Sequence, residues 1–181
     1  FYLSTLLLVY VYVMRFYWQN RKDRIRKNRL LIGAPAFFCI LAVACQIFYI
    51  PTDARWQKIN SVLSGRLELG CFGWRDYGFS LLGTKIEWIG FSHNATAGAY
   101  NYVDCSYMQI LLENGLIPLV IIIAVYTYIM YMAVKEKDFY LQTAVLLITA
   151  FSITEPRLLN LAYNPLPFFG ITYISLRGRS A

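Results

Sequence analysis

The sequence predicts an all-α integral membrane protein, a polytopic helical bundle of about five spans carrying one long extracytoplasmic loop that contains an amphipathic helix. Three observations predict it. The chain is 58% hydrophobic and 17% aromatic with a mean hydropathy of +0.46, more apolar surface than a globular core of 181 residues needs, so the surplus has to meet lipid. Apolar runs of spanning length recur along the chain. Positive charge is gathered between two of them. A soluble domain is therefore the wrong class, and residues 1–181 read as one transmembrane domain fragment. The chain enters its first apolar run at Phe1 without an initiator Met, a charged leader or a cleavage site, so it reads as starting inside a longer protein.

A crossing helix needs about 20 mostly apolar residues. Residues 1–18, 30–50 and 116–134 meet that length, 139–154 is short but uncharged after Asp138, and 161–176 is weaker, broken by Pro165, Pro167 and Gly170. The formal charge of +7 suggests nucleic acid until it is mapped. Arg15, Arg21, Lys22, Arg24, Arg26, Lys27 and Arg29 face only Asp23, which marks residues 19–29 as a cytoplasmic loop. A nucleic-acid surface would need that charge on a folded face with stacking aromatics, so no nucleic-acid partner is expected. Residues 51–115 then lie outside, Lys135 to Asp138 inside, Glu155 to Asn164 outside, and the tail with Arg177 and Arg179 inside. Trp18 and the tyrosine-rich borders suit the headgroup layer.

Within the outer segment Arg55, Lys58, Arg66, Arg75 and Lys85 balance Asp53, Glu68, Asp76, Glu87 and Asp104. Leu67, Cys71, Trp74, Gly78 and Leu81 recur at helical spacing, with Ser64 as N-cap and Gly83 as the stop. This predicts an amphipathic helix at the outer interface, anchored by Phe72 and Trp74. Residues 84–102 lose periodicity and read as a loop. Helical pattern resumes at Asp104 and runs toward 116–134, interrupted at Gly115 and Pro118. Cys39 and Cys45 lie in an apolar span; Cys71 and Cys105 are left either bridged or as unpaired thiols, the latter preferred.

No phosphate-cradling glycine loop, Ser-His-Asp order or metal cluster occurs, and the single histidine, His93, lies in the loop. Asn94-Ala95-Thr96 matches a glycosylation acceptor pattern that chance supplies often. The charged groups at the outer mouth are the candidates: Arg66, Arg75, Asp104, Glu113, Glu155 and Arg157, because ionisable groups near lipid are costly unless they face a polar cavity or each other. Arg66 opens the amphipathic helix, where free N–H groups favour a phosphate; a snorkelling anchor is the other reading. Arg75, about half a turn round the helix, pairs with Asp76 in solvent. Asp104 is either an N-cap or a general base for a sugar hydroxyl. Glu113 falls on the opposite face and reads as structural. Glu155 and Arg157, flanking Pro156, either pair with one another or contact substrate.

Ser64-Gly65-Arg66, the Leu82-Gly83 turn and above all Val103-Asp104-Cys105-Ser106-Tyr107-Met108-Gln109-Ile110-Leu111-Leu112-Glu113-Asn114-Gly115-Leu116-Ile117 resemble the bacterial O-antigen ligase and polysaccharide polymerase superfamily, closest to capsular and exopolysaccharide repeat-unit polymerases. Glu155-Pro156-Arg157 and Asn164-Pro165 look like that family's last outer loop, so the resemblance covers residues 60–165. It implies a multi-pass protein of the bacterial cytoplasmic membrane. The implied reaction is an inverting glycosyl transfer between two lipid-linked oligosaccharides, with undecaprenyl diphosphate as leaving group and no nucleotide sugar, metal or other cofactor. Arg66 would balance the diphosphate charge and Asp104 would be the base, as the two catalytic residues; Arg66, Arg75, Tyr107, Glu155 and Arg157 would contact substrate. Membrane lipid is an implied partner, as are a flippase and a chain-length regulator. The ligase branch looks to carry histidine where Asp104 stands, which favours the polymerase. A ligase acting on another acceptor is the alternative, and a transporter or scaffold subunit the second; charges at the mouths and clean spans weigh against the latter.

Overall fold

A computed structural model of the chain describes residues 29–90, 101–160, 164 and 166. Every regular element among them is helical. A 3-10 turn at Leu31–Gly33 leads into α1 (Ala34–Ile47), followed by α2 (Ala54–Val62), α3 (Arg66–Tyr77), α4 (Ser106–Glu113), α5 (Leu116–Lys135) and α6 (Phe139–Phe151). α1 lies at the centre and packs on α3, α4, α5 and α6, while α5 also packs on α4 and α6.

Among the described residues one helix, α5, is long and apolar enough to cross a membrane. It has 20 residues. The expected span 30–50 is somewhat shorter as a helix: the 3-10 turn and α1 form one apolar helical run, Leu31–Ile47, about 27 Å long at about 2.0 Å per 3-10 residue and 1.5 Å per α residue, against a hydrocarbon core of about 30 Å. It ends because Tyr49 N–H tightens onto the Gln46 carbonyl and Pro51 follows. The expected span 139–154 forms the 13-residue α6, started by the Asp138 side chain accepting from Leu141 N–H and followed by a turn through Ser152. Span 1–18 lies outside the described residues, as does span 161–176 apart from Asn164 and Leu166, and so do loop residues 19–28, His93 and Asn94-Ala95-Thr96.

Two faces of α5 are apolar. Leu119, Tyr126, Ile129, Met130 and Ala133 are buried against the bundle, whereas Ile117, Val120, Ile121, Val125, Tyr128 and Tyr131 form an exposed stripe at helical spacing. Only 28% of its apolar stretch is buried; the core helix of a soluble domain would be mostly buried. α1 repeats the pattern, with Cys39, Ala42 and Gln46 inward and Phe37, Ile40 and Leu41 outward.

Residues 51–115 hold one more helix than their sequence pattern suggested, and that changes their reading. Asp53 caps α2 by accepting from Arg55 and Trp56 N–H. α2 closes in a Schellman motif, Gly65 N–H on the Asn60 carbonyl and Ser64 N–H on the Ser61 carbonyl. Ser64, with φ of 55°, therefore ends the helix behind it rather than capping the one ahead. α3 also stops earlier than expected: Gly78, at φ 70°, terminates it, not Gly83. Gly83 instead crosses Gly115. A Cβ on Gly115 would stand 2.4 Å from Gly83 N, so the two segments touch backbone to backbone. Bonds from Leu116 N–H to Ser80 O, Ile117 N–H to Leu81 O and Thr84 N–H to Leu112 O fasten 80–84 to this crossing. Gly115 makes a full break between α4 and α5, while Pro118 sits in the first turn of α5, where a missing N–H costs little.

The core centres on α4, where Ser106, Tyr107, Met108, Ile110, Leu111 and Leu112 are all buried. A smaller cluster joins Tyr49, Leu67 and Cys71 beneath the α2–α3 corner.

Candidate functional site

Arg66 owes its position to the corner between α2 and α3. Asn60, buried near the end of α2, turns its Oδ1 to the N–H groups of Leu67 and Glu68 at 3.1 and 3.2 Å. Its Nδ2 donates to the Tyr49 hydroxyl and to the Glu68 carboxylate, each at 3.2 Å. Arg66 N–H itself donates to the Leu63 carbonyl. The free N–H groups expected to welcome a phosphate at the start of α3 are thus already used. What remains for an anion is the Arg66 side chain.

Two carboxylates converge on that side chain from remote parts of the chain. Asp104 Oδ2 lies 3.4 Å from Arg66 Nε, and Arg66 Nη2 donates to Glu155 Oε1 at 3.4 Å across 89 residues of sequence. The other oxygen of Glu155 stands 3.6 Å from Arg157 Nε, so the mutual pair expected across Pro156 exists and is part of a larger chain of charges. Arg66 Nε is buried and has no protein acceptor within hydrogen-bond geometry; Asp104 is near enough for charge attraction but off the N–H line.

Asp104 does not cap α4. The N-cap position is Cys105, which makes no side-chain cap bond, and α4 is anchored instead by its neighbours. Ser106 N–H donates to the Ser152 carbonyl, Ser106 Oγ donates to the Glu155 carbonyl, and Leu158 N–H donates to Ser106 Oγ at 3.1 Å. One serine thereby holds residues 152–158 against the start of α4 and sets Glu155 beside Arg66. Val103 and Cys105, fully buried on either side of Asp104, fix the third partner.

These ion pairs do little for stability. Their side chains are 26–43% exposed and the contacts are long, a setting in which a pair contributes about 0–1 kcal/mol. Three separate segments nevertheless bring them together, which is why the cluster is the functional candidate.

The other expected contacts separate from it. Tyr107 is fully buried and donates its hydroxyl to the Thr149 carbonyl at 2.6 Å, a tie between α4 and the end of α6. Arg75 and Asp76 are exposed on α3, and Arg75 lies about half a turn round from Arg66. Glu113 is structural as expected, accepting from Trp88 Nε1 at 3.1 Å. All four cysteines are free thiols, so Cys71 and Cys105 are unbridged. Trp74 packs against the core and Phe72 is exposed. The sequence assigns no role to Asn60 or to Ser106 by itself. Asn60 stands at the end of a helix that a cap at Asp53 could have revealed, but nothing local marks a serine whose partners lie 49 and 52 residues away.

No protein-family model, curated protein or solved structure matches the chain.

Proposed function

We propose that the chain belongs to a multi-pass protein of the bacterial cytoplasmic membrane, with residues 51–115 on the outer side, and that it is a polysaccharide polymerase. It would transfer a glycan from undecaprenyl diphosphate onto a lipid-linked repeat unit, as a metal-independent glycosyltransferase. The observation that carries this reading is the convergence of Asp104 and Glu155 on Arg66, residues on which the family resemblance rests, in a chain that also holds the spanning-length α5. The apolar outer stripes of α1 and α5 support a lipid surround.

In this reaction the acceptor hydroxyl oxygen bonds to the anomeric carbon and the carbon–oxygen bond to the diphosphate breaks. Arg66 offsets the charge that grows on the departing diphosphate, the preorganised electrostatic help that such a step needs. Asp104 takes the hydroxyl proton as general base. An inverting displacement puts base and leaving group on opposite sides of the anomeric carbon, so the Arg66 side chain must turn from its 3.4 Å contact with Asp104 when donor binds. Arg157 lies on the far side of Glu155 and supplies a second cation for the diphosphate.

Replacing Arg66 with Ala tests the reading in cells. Polymer should vanish while single repeat units accumulate on the carrier lipid. Normal chain lengths in that strain would sink it.

A further inference from the structure

Arg66 carries one positive charge, and two carboxylates already stand against it. With Arg157 included, the four formal charges of the cluster, two positive and two negative, cancel. A diphosphate brought to that assembly without any change would meet as much repulsion as attraction. Resting on the diphosphate reading of the site, we propose that Glu155 is a built-in counter-anion of Arg66 that the donor displaces, so that donor binding exchanges one anion for another.

The geometry suits a displaceable partner. Each oxygen of Glu155 serves a different guanidinium, Oε1 toward Arg66 at 3.4 Å and Oε2 toward Arg157 at 3.6 Å. A carboxylate bridging two cations stands where an anion with two charged groups would bind. Both contacts are long and the Glu155 side chain is 27% exposed, so leaving them sacrifices little. Arg66 Nε also lacks a protein acceptor, which leaves a buried donor for a better-placed oxygen to satisfy.

Of the two carboxylates, Glu155 is the one built to move. Asp104 is short and sits between Val103 and Cys105, both buried. Glu155 has an additional methylene, and only its backbone is held: Ser106 Oγ bonds its carbonyl and the Leu158 N–H beyond it. Side-chain torsions can therefore swing the carboxylate aside while residues 152–158 stay in place.

The test measures binding of inorganic pyrophosphate to the purified full-length protein by calorimetry, for the wild type, Glu155→Gln, Glu155→Asp and Arg66→Ala. The exchange predicts about tenfold tighter binding for Glu155→Gln, a smaller gain for Glu155→Asp, whose shorter arm draws the charge back, and loss of binding for Arg66→Ala. Unchanged or weaker binding in Glu155→Gln, with binding still lost in Arg66→Ala, overturns the exchange and leaves the diphosphate reading standing. Wild-type binding in Arg66→Ala overturns both. If Glu155→Gln does not fold, Glu155→Asp decides: tighter binding supports the exchange, and equal or weaker binding overturns it.

Discussion

Asn60 accepts the backbone N–H of Leu67 at 3.1 Å, so the helix that begins at Arg66 is capped by a side chain from the helix before it. Asn60→Ala removes this cap and leaves the buried N–H of Leu67 and the partly buried N–H of Glu68 without their acceptor. The expected loss is about 2 kcal/mol, read as a lowered thermal midpoint in detergent. In a Glu68→Gln background, which removes the carboxylate that Asn60 Nδ2 serves, Asn60→Asp keeps the acceptor and should retain more of the stability than Asn60→Ala does. Equal losses in the two variants would count against the capping role.

Gly115→Ala should be far more damaging than an average glycine replacement. Its φ is 95°, and the added Cβ would stand 2.5 Å from the Leu81 carbonyl oxygen. Backbone on both sides cannot yield as a side-chain tip can, so a loss of about 3 kcal/mol or more is expected. The comparison is Gly33→Ala, where a Cβ meets nothing within 4 Å. Similar melting of the two variants would contradict the crossing of Gly83 and Gly115.

Tyr107→Phe separates a structural tyrosine from a substrate contact. Ile153 N–H turns to the Ala150 carbonyl, and the Thr149 carbonyl receives the Tyr107 hydroxyl. Removing it leaves that carbonyl short of a donor, at about 1–2 kcal/mol. Stability should fall while KM for the lipid-linked substrate holds. A raised KM at unchanged stability would restore Tyr107 to the binding set.

Cys105 is fully buried, and desolvation pushes its thiol pKa up. Thiolate is the reactive form, so a variant keeping only this cysteine should resist maleimide at pH 8 until unfolded in SDS. The sign for stability follows from the raised value. The protonated thiol favours the fold below the ordinary thiol pKa of about 8.5, and this contribution is lost as pH climbs above it. Rapid labelling of the folded protein would show that the thiol is not enclosed.

The sequence made the helical class legible because α5, up to Val134, and α6 are uncharged runs whose ends carry recognisable signals: Gly115 before α5 and Asp138 capping α6. It made Arg66, Asp104 and Glu155 legible as candidates because charges beside apolar spans demand partners. It misassigned the corner before Arg66, because Ser64 has the side chain of an N-cap but the left-handed backbone of a helix end, and local residue type does not separate the two. It extended α3 to Gly83 because the apolar spacing carries on through Leu81, although that leucine is exposed and belongs to the segment fastened beside α5. The pairing of Arg66 with Glu155 was out of reach, since it depends on Ser106 tying two distant segments together.

The most direct measurement supplies the purified, reconstituted full-length protein with lipid-linked repeat units as sole substrate and follows chain length by gel. Wild type should build polymers of several repeats with no nucleotide sugar added, and Arg66→Ala should leave single repeats intact. A wild-type protein that never elongates these repeats but passes them to a different acceptor would contradict the polymerase reading, as would an Arg66→Ala protein that elongates them at the normal rate.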